Sequence, residues 1–367
     1  PKINIVFPVN NSLYNLYNLD VNYTLDDANL DSCWWFDNAG GVNTSVTCKN
    51  NLTGAWVAGI NKVIIYANDT AGNTNSSSIT FYIDAVAPVL TIVSPLNTSY
   101  NINNPNFNVT ANENITFCNF SLDGLANQSM LKVNDSYFYN ISVMINGQHN
   151  IIYSCNDSAN NWASSSQRYF ITDIVFPVIE FISPSLGGGN YSRASIEVNL
   201  SISELNFANV TINLHNRTGL YNTSFSTVNI SYINFTNLPN EIYYLNATAI
   251  DFAGNANNTQ TILYMLDTFN PQINFSINTQ TNYTHQKATS ISVNVSSLDN
   301  FEINTITINL YNSTGLFNSS YVRANLTSYY INFTSLPDEV YKFNATANDT
   351  TGNKNNTITY SIWVDTT

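Results

Sequence analysis

One six-residue phrase recurs four times along the 367-residue chain, and it constrains the fold more tightly than any other feature. It reads Asn68-Asp69-Thr70-Ala71-Gly72-Asn73, then Asn156-Asp157-Ser158-Ala159-Asn160-Asn161, Ile250-Asp251-Phe252-Ala253-Gly254-Asn255 and Asn348-Asp349-Thr350-Thr351-Gly352-Asn353. The anchoring aspartates stand 88, 94 and 98 residues apart. A second marker, Asp84, Asp173, Asp267 and Asp365, follows each anchor by 15 or 16 residues. After the first three a proline comes four positions later, at Pro88, Pro177 and Pro271. Two independent markers on one period identify tandem units. The last two units also agree inside, Thr211-Ile212-Asn213-Leu214 matching Thr307-Ile308-Asn309-Leu310 and Ile233-Asn234-Phe235-Thr236 matching Ile331-Asn332-Phe333-Thr334. The phase divides the chain into 1–87, 88–176, 177–270 and 271–367, each long enough to bury a core of its own.

Each unit reads as β-structure. Apolar and polar residues alternate through 63–67, 78–83, 195–200 and 291–295, the period that puts one set of side chains in a core and the other in solvent. The runs are short and bounded by Asn, Gly, Asp and Pro, while the high Asn and Thr content opposes helix. Such spacing gives roughly seven strands per unit, the count of an immunoglobulin-like sandwich. The expected fold is all-β, with four tandem immunoglobulin-like β-sandwich domains in a linear array. The repeated phrase lies between the last two strands of each unit. There Asp bonds its own backbone, and Gly or Asn takes the left-handed conformation of the turn. Asn160 stands where the other units carry Gly.

These phrases resemble the tandem immunoglobulin-like domains, of Asp-x-Ala-Gly-Asn type, in large bacterial and archaeal surface proteins. The Asn-Ala-Thr-Ala stretches that begin at Asn246 and Asn344 are most similar to archaeal cell-surface proteins. The resemblance covers the whole chain four times over and implies an extracellular, cell-surface setting, in which such domains serve as stalks, adhesins or filament subunits. Related bacterial adhesins also use turn and linker aspartates for calcium. That implies a second use for Asp69 with Asp84, Asp157 with Asp173, Asp251 with Asp267 and Asp349 with Asp365, beside capping their own turns. Each junction so read offers two carboxylates, and no dedicated metal ligand set is assigned.

Composition agrees with that setting. The chain has 11 Lys+Arg against 24 Asp+Glu and a formal charge of −13, too few cations for a phosphate-binding stripe, so nucleic acid is excluded as a partner. No run of about 18 apolar residues exists, so no membrane insertion is expected in this region. Cys33 and Cys48 flank Asp37-Asn38-Ala39-Gly40-Gly41 in the first unit, and a hairpin turning there brings them within bridging reach. Cys118 and Cys155 fall on neighbouring strands of the second sandwich; two disulfides are expected, with free buried thiols as the other reading. There are 33 Asn-x-Ser/Thr sequons where composition alone predicts about 13. Candidate N-glycosylation sites are Asn22, Asn43, Asn51, Asn97, Asn108, Asn127, Asn140, Asn190, Asn216, Asn222, Asn257, Asn282, Asn312, Asn318 and Asn355. Glycans there would solubilise a surface of which charged residues make up only 10%. No cofactor beyond these covalent glycans and the calcium alternative is expected.

Catalytic signals are absent from the sequence. His149, His215 and His285 fall one to a unit without a second ligand at metal spacing, and no nucleophile elbow, phosphate loop or zinc-protease motif occurs. Gly187-Gly188-Gly189 precedes a strand and reads as a flexible loop. Trp34 and Trp35 are expected to place one ring in the core and one outside. The chain is therefore expected to be no enzyme. Its expected role is a section or subunit of a glycosylated cell-surface filament or array, with Pro1 and Thr367 both in the linker phase. Its partners would be copies of itself, end to end or through edge strands, and other cell-surface components. The alternative is an adhesin or receptor stalk that binds a glycan or protein through loops of an outer domain.

Overall fold

The computed structural model describes residues 1–38, 40–133, 136–140, 143–185, 187–230, 232–323 and 326–367, with the side chains of Ser136, Phe138 and Asn140 outside that description. The chain is all-β and forms two compact units, Pro1–Val175 and Phe176–Thr367. Each unit carries two sandwiches with separate cores, which makes four tandem β-sandwich domains. Among the described residues no helix is long and apolar enough to cross a membrane.

The first domain shows the common plan. Lys2–Phe7 pairs with Asp20–Asp26, which pairs with Leu52–Thr53, and this three-stranded sheet faces a five-stranded one. The second sheet runs Leu13–Tyr14, Thr74–Ile83, Gly59–Asp69, Leu30–Asp37 and Asn43–Val46. Between the sheets lie Val21, Leu25, Trp35, Trp56, Val63, Ile65 and Phe81. Burying a large side chain of this kind contributes roughly 1.5–3 kcal/mol. Leu13–Tyr14 lies parallel to Tyr82 and Ile83, so the opening segment leaves one sheet and completes the other. The same parallel closure recurs at Ser99–Tyr100, Gly189–Tyr191 and Thr284–Gln286. Gly188 belongs to that closure: a Cβ there would come within 2.7 Å of the Leu263 carbonyl oxygen. The expected loose glycine loop is thus, at this residue, a close backbone approach.

One strand in each domain leads into the repeated phrase. In Gly147–Asp157 the buried residues are His149, Ile151, Tyr153, Cys155 and Asp157. In Glu241–Asp251 they are Tyr243, Leu245, Ala247, Ala249 and Asp251, and in Glu339–Asp349 Tyr341, Phe343, Ala345, Ala347 and Asp349. A period of two thus carries the anchoring aspartate onto the core face at the end of its strand. The turn that follows has the expected left-handed residue in every copy, with φ of 86° at Gly72, 70° at Asn160, 91° at Gly254 and 95° at Gly352.

Both disulfides form, Cys33–Cys48 and Cys118–Cys155. Cys118 lies directly opposite Cys155 in the register of its sheet. Trp35 enters the first core while Trp34 stays on the outer face, stacked on Tyr66 with ring centroids 5.5 Å apart.

Candidate functional site

The phrase builds a bidentate clasp. Asn73 donates its backbone N–H to Asp69 Oδ1 at 2.9 Å and its carboxamide Nδ2 to Oδ2 at 2.9 Å. The same two bonds join Asn161 to Asp157, Asn255 to Asp251 and Asn353 to Asp349. Donation from Asn73 holds the Asp69 carboxyl below the usual carboxylate range.

Within each unit this clasp reaches the preceding domain. Asn161 Nδ2 also donates to the Asp84 carbonyl oxygen at 2.8 Å, and Asn353 Nδ2 to the Asp267 carbonyl oxygen at 3.0 Å. Thr351 Oγ1 reaches the same Asp267 oxygen, and Ser192 Oγ donates to Asn353 Oδ1. The last asparagine of the phrase is therefore a junction residue, a role its turn chemistry did not reveal.

The acidic grouping differs from the expected pairs. Asp84 stands with Asp157, and Asp267 with Asp349, so each linker aspartate meets the turn aspartate of the next domain rather than that of its own. A third carboxylate joins each pair, Glu113 in the first unit and Asp299 in the second. In both clusters the nearest carboxylate oxygens lie within 4.8 Å of one another. A cleft of about 390 Å³ opens beside Glu113 and one of about 460 Å³ beside Asp299.

The second cluster is the more enclosed. Asp267 and Asp349 are buried. Asp267 Oδ1 accepts hydrogen bonds from Asn240, Asn300 and the Phe269 N–H, but its Oδ2, shut from solvent, accepts none; nor does Asp299 Oδ1. Burial pushes the Asp299 carboxyl above its usual range, with the charges of Asp267 and Asp349 adding to it and the Phe301 N–H opposing. Glu113 is raised for the same reasons, burial first and then Asp84 and Asp157. Buried carboxylate oxygens without donors fit a hard cation, which takes oxygen ligands from carboxylates and carbonyls. The residues present thus suit the calcium that the resemblance implies, through Asp267, Asp299 and Asp349.

His149 is buried in a triad-like setting. Its Nδ1 meets Asp123 at 2.8 Å, while Nε2 faces both the Ile145 carbonyl at 2.9 Å and Thr172 Oγ1 at 3.2 Å. Thr172 is fully buried and donates to that same carbonyl. The group fastens a turn, and no substrate can reach the hydroxyl. His285 stacks on Trp363 with centroids 4.6 Å apart.

The sequon asparagines separate by exposure. Asn43, Asn51, Asn97, Asn127, Asn190, Asn222, Asn257, Asn318 and Asn355 are exposed, while Asn22, Asn108, Asn216, Asn282 and Asn312 are half-buried; the Asn140 side chain lies outside the described residues. Asn22 and Asn108 sit on middle strands with Oδ1 shut from solvent. Asn257 is exposed but engaged, since its Nδ2 donates to the Pro177 carbonyl at 2.9 Å. If the chain is glycosylated, its intact mass exceeds 40.8 kDa, and peptide mass spectrometry is expected to find Asn43 occupied and Asn22, Asn108 and Asn257 bare. Uniform occupancy would contradict the ordering by exposure.

No family model matches the chain, and no curated protein matches it. Among solved structures it is similar to a tetra-tandem repeat in the extending region of a large adhesion protein, at 19% identity and a TM-score of 0.40 over 97% of this chain and 99% of that one. Fibronectin(III)-like modules of Clostridium thermocellum CbhA match 51% of this chain and 94% of theirs at 12% identity and a TM-score of 0.31. The FN1–FN3 domains of chicken CNTN1 match 76% and 99% at 12% identity and a TM-score of 0.28.

Proposed function

We propose that the chain is a structural section of an extracellular, N-glycosylated cell-surface filament or array, with its sandwiches joined end to end. The observation that carries this reading is the junction bond, in which Asn161 holds the Asp84 carbonyl and Asn353 the Asp267 carbonyl. A linker tied to the next domain resists bending, as a spacer requires. Two disulfides support a location outside the reducing cytosol. A calcium ion between Asp267, Asp299 and Asp349 would tighten the same junction, joining the linker, the fourth domain's turn and a loop between its strands. Partners are further copies of the chain and other cell-surface components. Negative-stain images of the purified protein are expected to show ordered fibres; monodisperse particles at all concentrations would refute assembly.

A second reading, an adhesin that binds a glycan, has one observation in its favour. Trp34, stacked on Tyr66, adjoins a cleft of about 640 Å³ whose rim includes Asp31, Ser32, Asn43 and Ser45. An aromatic ring beside polar groups suits a sugar. Glycan-array binding that Trp34→Ala abolishes would favour this reading over the filament.

A further inference from the structure

The two longest edge strands among the described residues are Gly219–Ser226 and Gly315–Arg323, at the same place in the third and fourth domains. Each hydrogen-bonds one neighbour, Phe207–Asn216 or Ile303–Asn312, and its other backbone edge meets no strand. Natural sheets guard such edges with Lys, Pro, charges or very short strands. Neither strand contains Pro, Lys, Asp or Glu, and Arg323 at the very end is the one charge. Large apolar side chains are exposed along both, with Phe225 at 63% and Tyr321 at 62%. Unguarded, each edge is a template for the same strand of a second copy, because antiparallel self-pairing obeys two-fold symmetry.

Both strands carry a sequon at one structural position. Asn222 lies opposite Leu214, and Asn318 opposite Leu310. Each accepts the N–H of the following residue on Oδ1 at 2.8 Å. Their Nδ2 atoms, where an N-glycan is joined, make no hydrogen bond among the described residues, unlike that of Asn257.

We propose that glycans on Asn222 and Asn318 cover these two edges and prevent them from pairing with a second copy. The inference rests on the glycosylation reading above and restricts assembly to end-to-end contacts. The transfer uses a glycosyl diphosphate donor. A bond forms between its anomeric carbon and Nδ2, the bond to the phosphate oxygen breaks, the diphosphate leaves with the electron pair and the amide loses one proton. The bound sugar then occupies the space a pairing strand would need.

The full chain, made in a host that N-glycosylates, tests this. Three double variants are compared with the parent: Asn222→Gln with Asn318→Gln; Ser224→Ala with Ser320→Ala, which removes both sequons and keeps both asparagines; and Asn222→Lys with Asn318→Lys. Peptide mass spectrometry reads occupancy, light scattering reads association, and circular dichroism checks folding. The first two variants are expected to self-associate at least tenfold more tightly than the parent, while the lysine variant, guarded by charge, stays at the parent's level. Occupied parent peptides with unchanged association in the first two variants would overturn the edge role and leave glycosylation standing. Bare Asn222 and Asn318 in the parent would overturn the glycosylation of these sites, and the proposal with it.

Discussion

Reduction of the disulfides is expected to lower the unfolding temperature of the first two domains and leave the third and fourth unchanged. All four cysteines lie in the Pro1–Val175 unit. Cys33–Cys48 closes 15 residues and Cys118–Cys155 closes 37. Loop-closure entropy assigns such cross-links about 3 and about 4 kcal/mol. For sandwiches of under about 100 residues that is a fall of roughly 12–24 °C in the first domain and roughly 16–32 °C in the second. The Cys118–Cys155 bridge is the larger effect, because it ties two adjacent strands across a longer excursion. Its sulfurs are also fully buried beside Phe120 and Tyr153, so reduction leaves two thiols in an apolar site. Scanning calorimetry of the oxidised and reduced chain checks this. A single transition that moves as a whole, or none that moves, would contradict it. Third and fourth domains of the same architecture provide an internal control, since the buried Ala249 and Ala347 stand where the second domain has Cys155.

Asp299→Asn is expected to act in opposite directions with and without calcium. In chelator the variant unfolds at a higher temperature than the parent; in millimolar calcium the order reverses. Three carboxylates whose oxygens lie within 4.8 Å repel one another. For two unit charges at that separation the repulsion is about 1 kcal/mol in water and about 3 kcal/mol at an effective dielectric of 20. Removing one charge relieves that, and Asp299 is the member to remove, because its Oδ1 has no hydrogen bond to lose. With calcium the same charge becomes a ligand. A cation at 100 times its dissociation constant stabilises by about 2.7 kcal/mol, which the variant forfeits. Unfolding temperatures that respond equally to calcium in parent and variant would remove the cation site. A variant less stable than the parent in chelator would show that repulsion does not govern this cluster.

Much of the fold was written plainly in the chain. The Asp69 phrase and its three copies gave the domain count, and the period of two through residues 63–67 gave strands with one buried face. Asn160 declared the left-handed turn by standing in for glycine. The acidic clusters were harder to see. Sequence proximity suggests Asp69 with Asp84, yet Asp84 meets Asp157, 73 residues away. Those two approach because the Gly147–Asp157 strand ends at the face of its domain that receives the linker, a relation fixed by stacking successive sandwiches and carried by no local motif. Glu113 and Asp299 lie 29 and 32 residues beyond their linker aspartates and differ in length, so they share no marker. A recurring acid between the third and fourth strands of each domain was the available signal. Asn161 and Asn353 were hidden differently: their turn role accounted for them fully, and nothing local hinted at a second acceptor in the preceding domain.

The clasp of Asn353 on the Asp267 carbonyl also couples the stabilities of neighbouring domains. The linker oxygen belongs to the upstream sandwich, but its partner is positioned only once the downstream sandwich has closed its last turn. Within each unit, folding of the later domain therefore completes the earlier one. The pair then behaves as two coupled switches with a nearest-neighbour energy rather than as independent beads. Under tension, loss of the downstream domain frees the upstream linker and adds slack at a defined place. During synthesis, the upstream linker gains this bond only after its neighbour has folded, and until then its carbonyl bonds water.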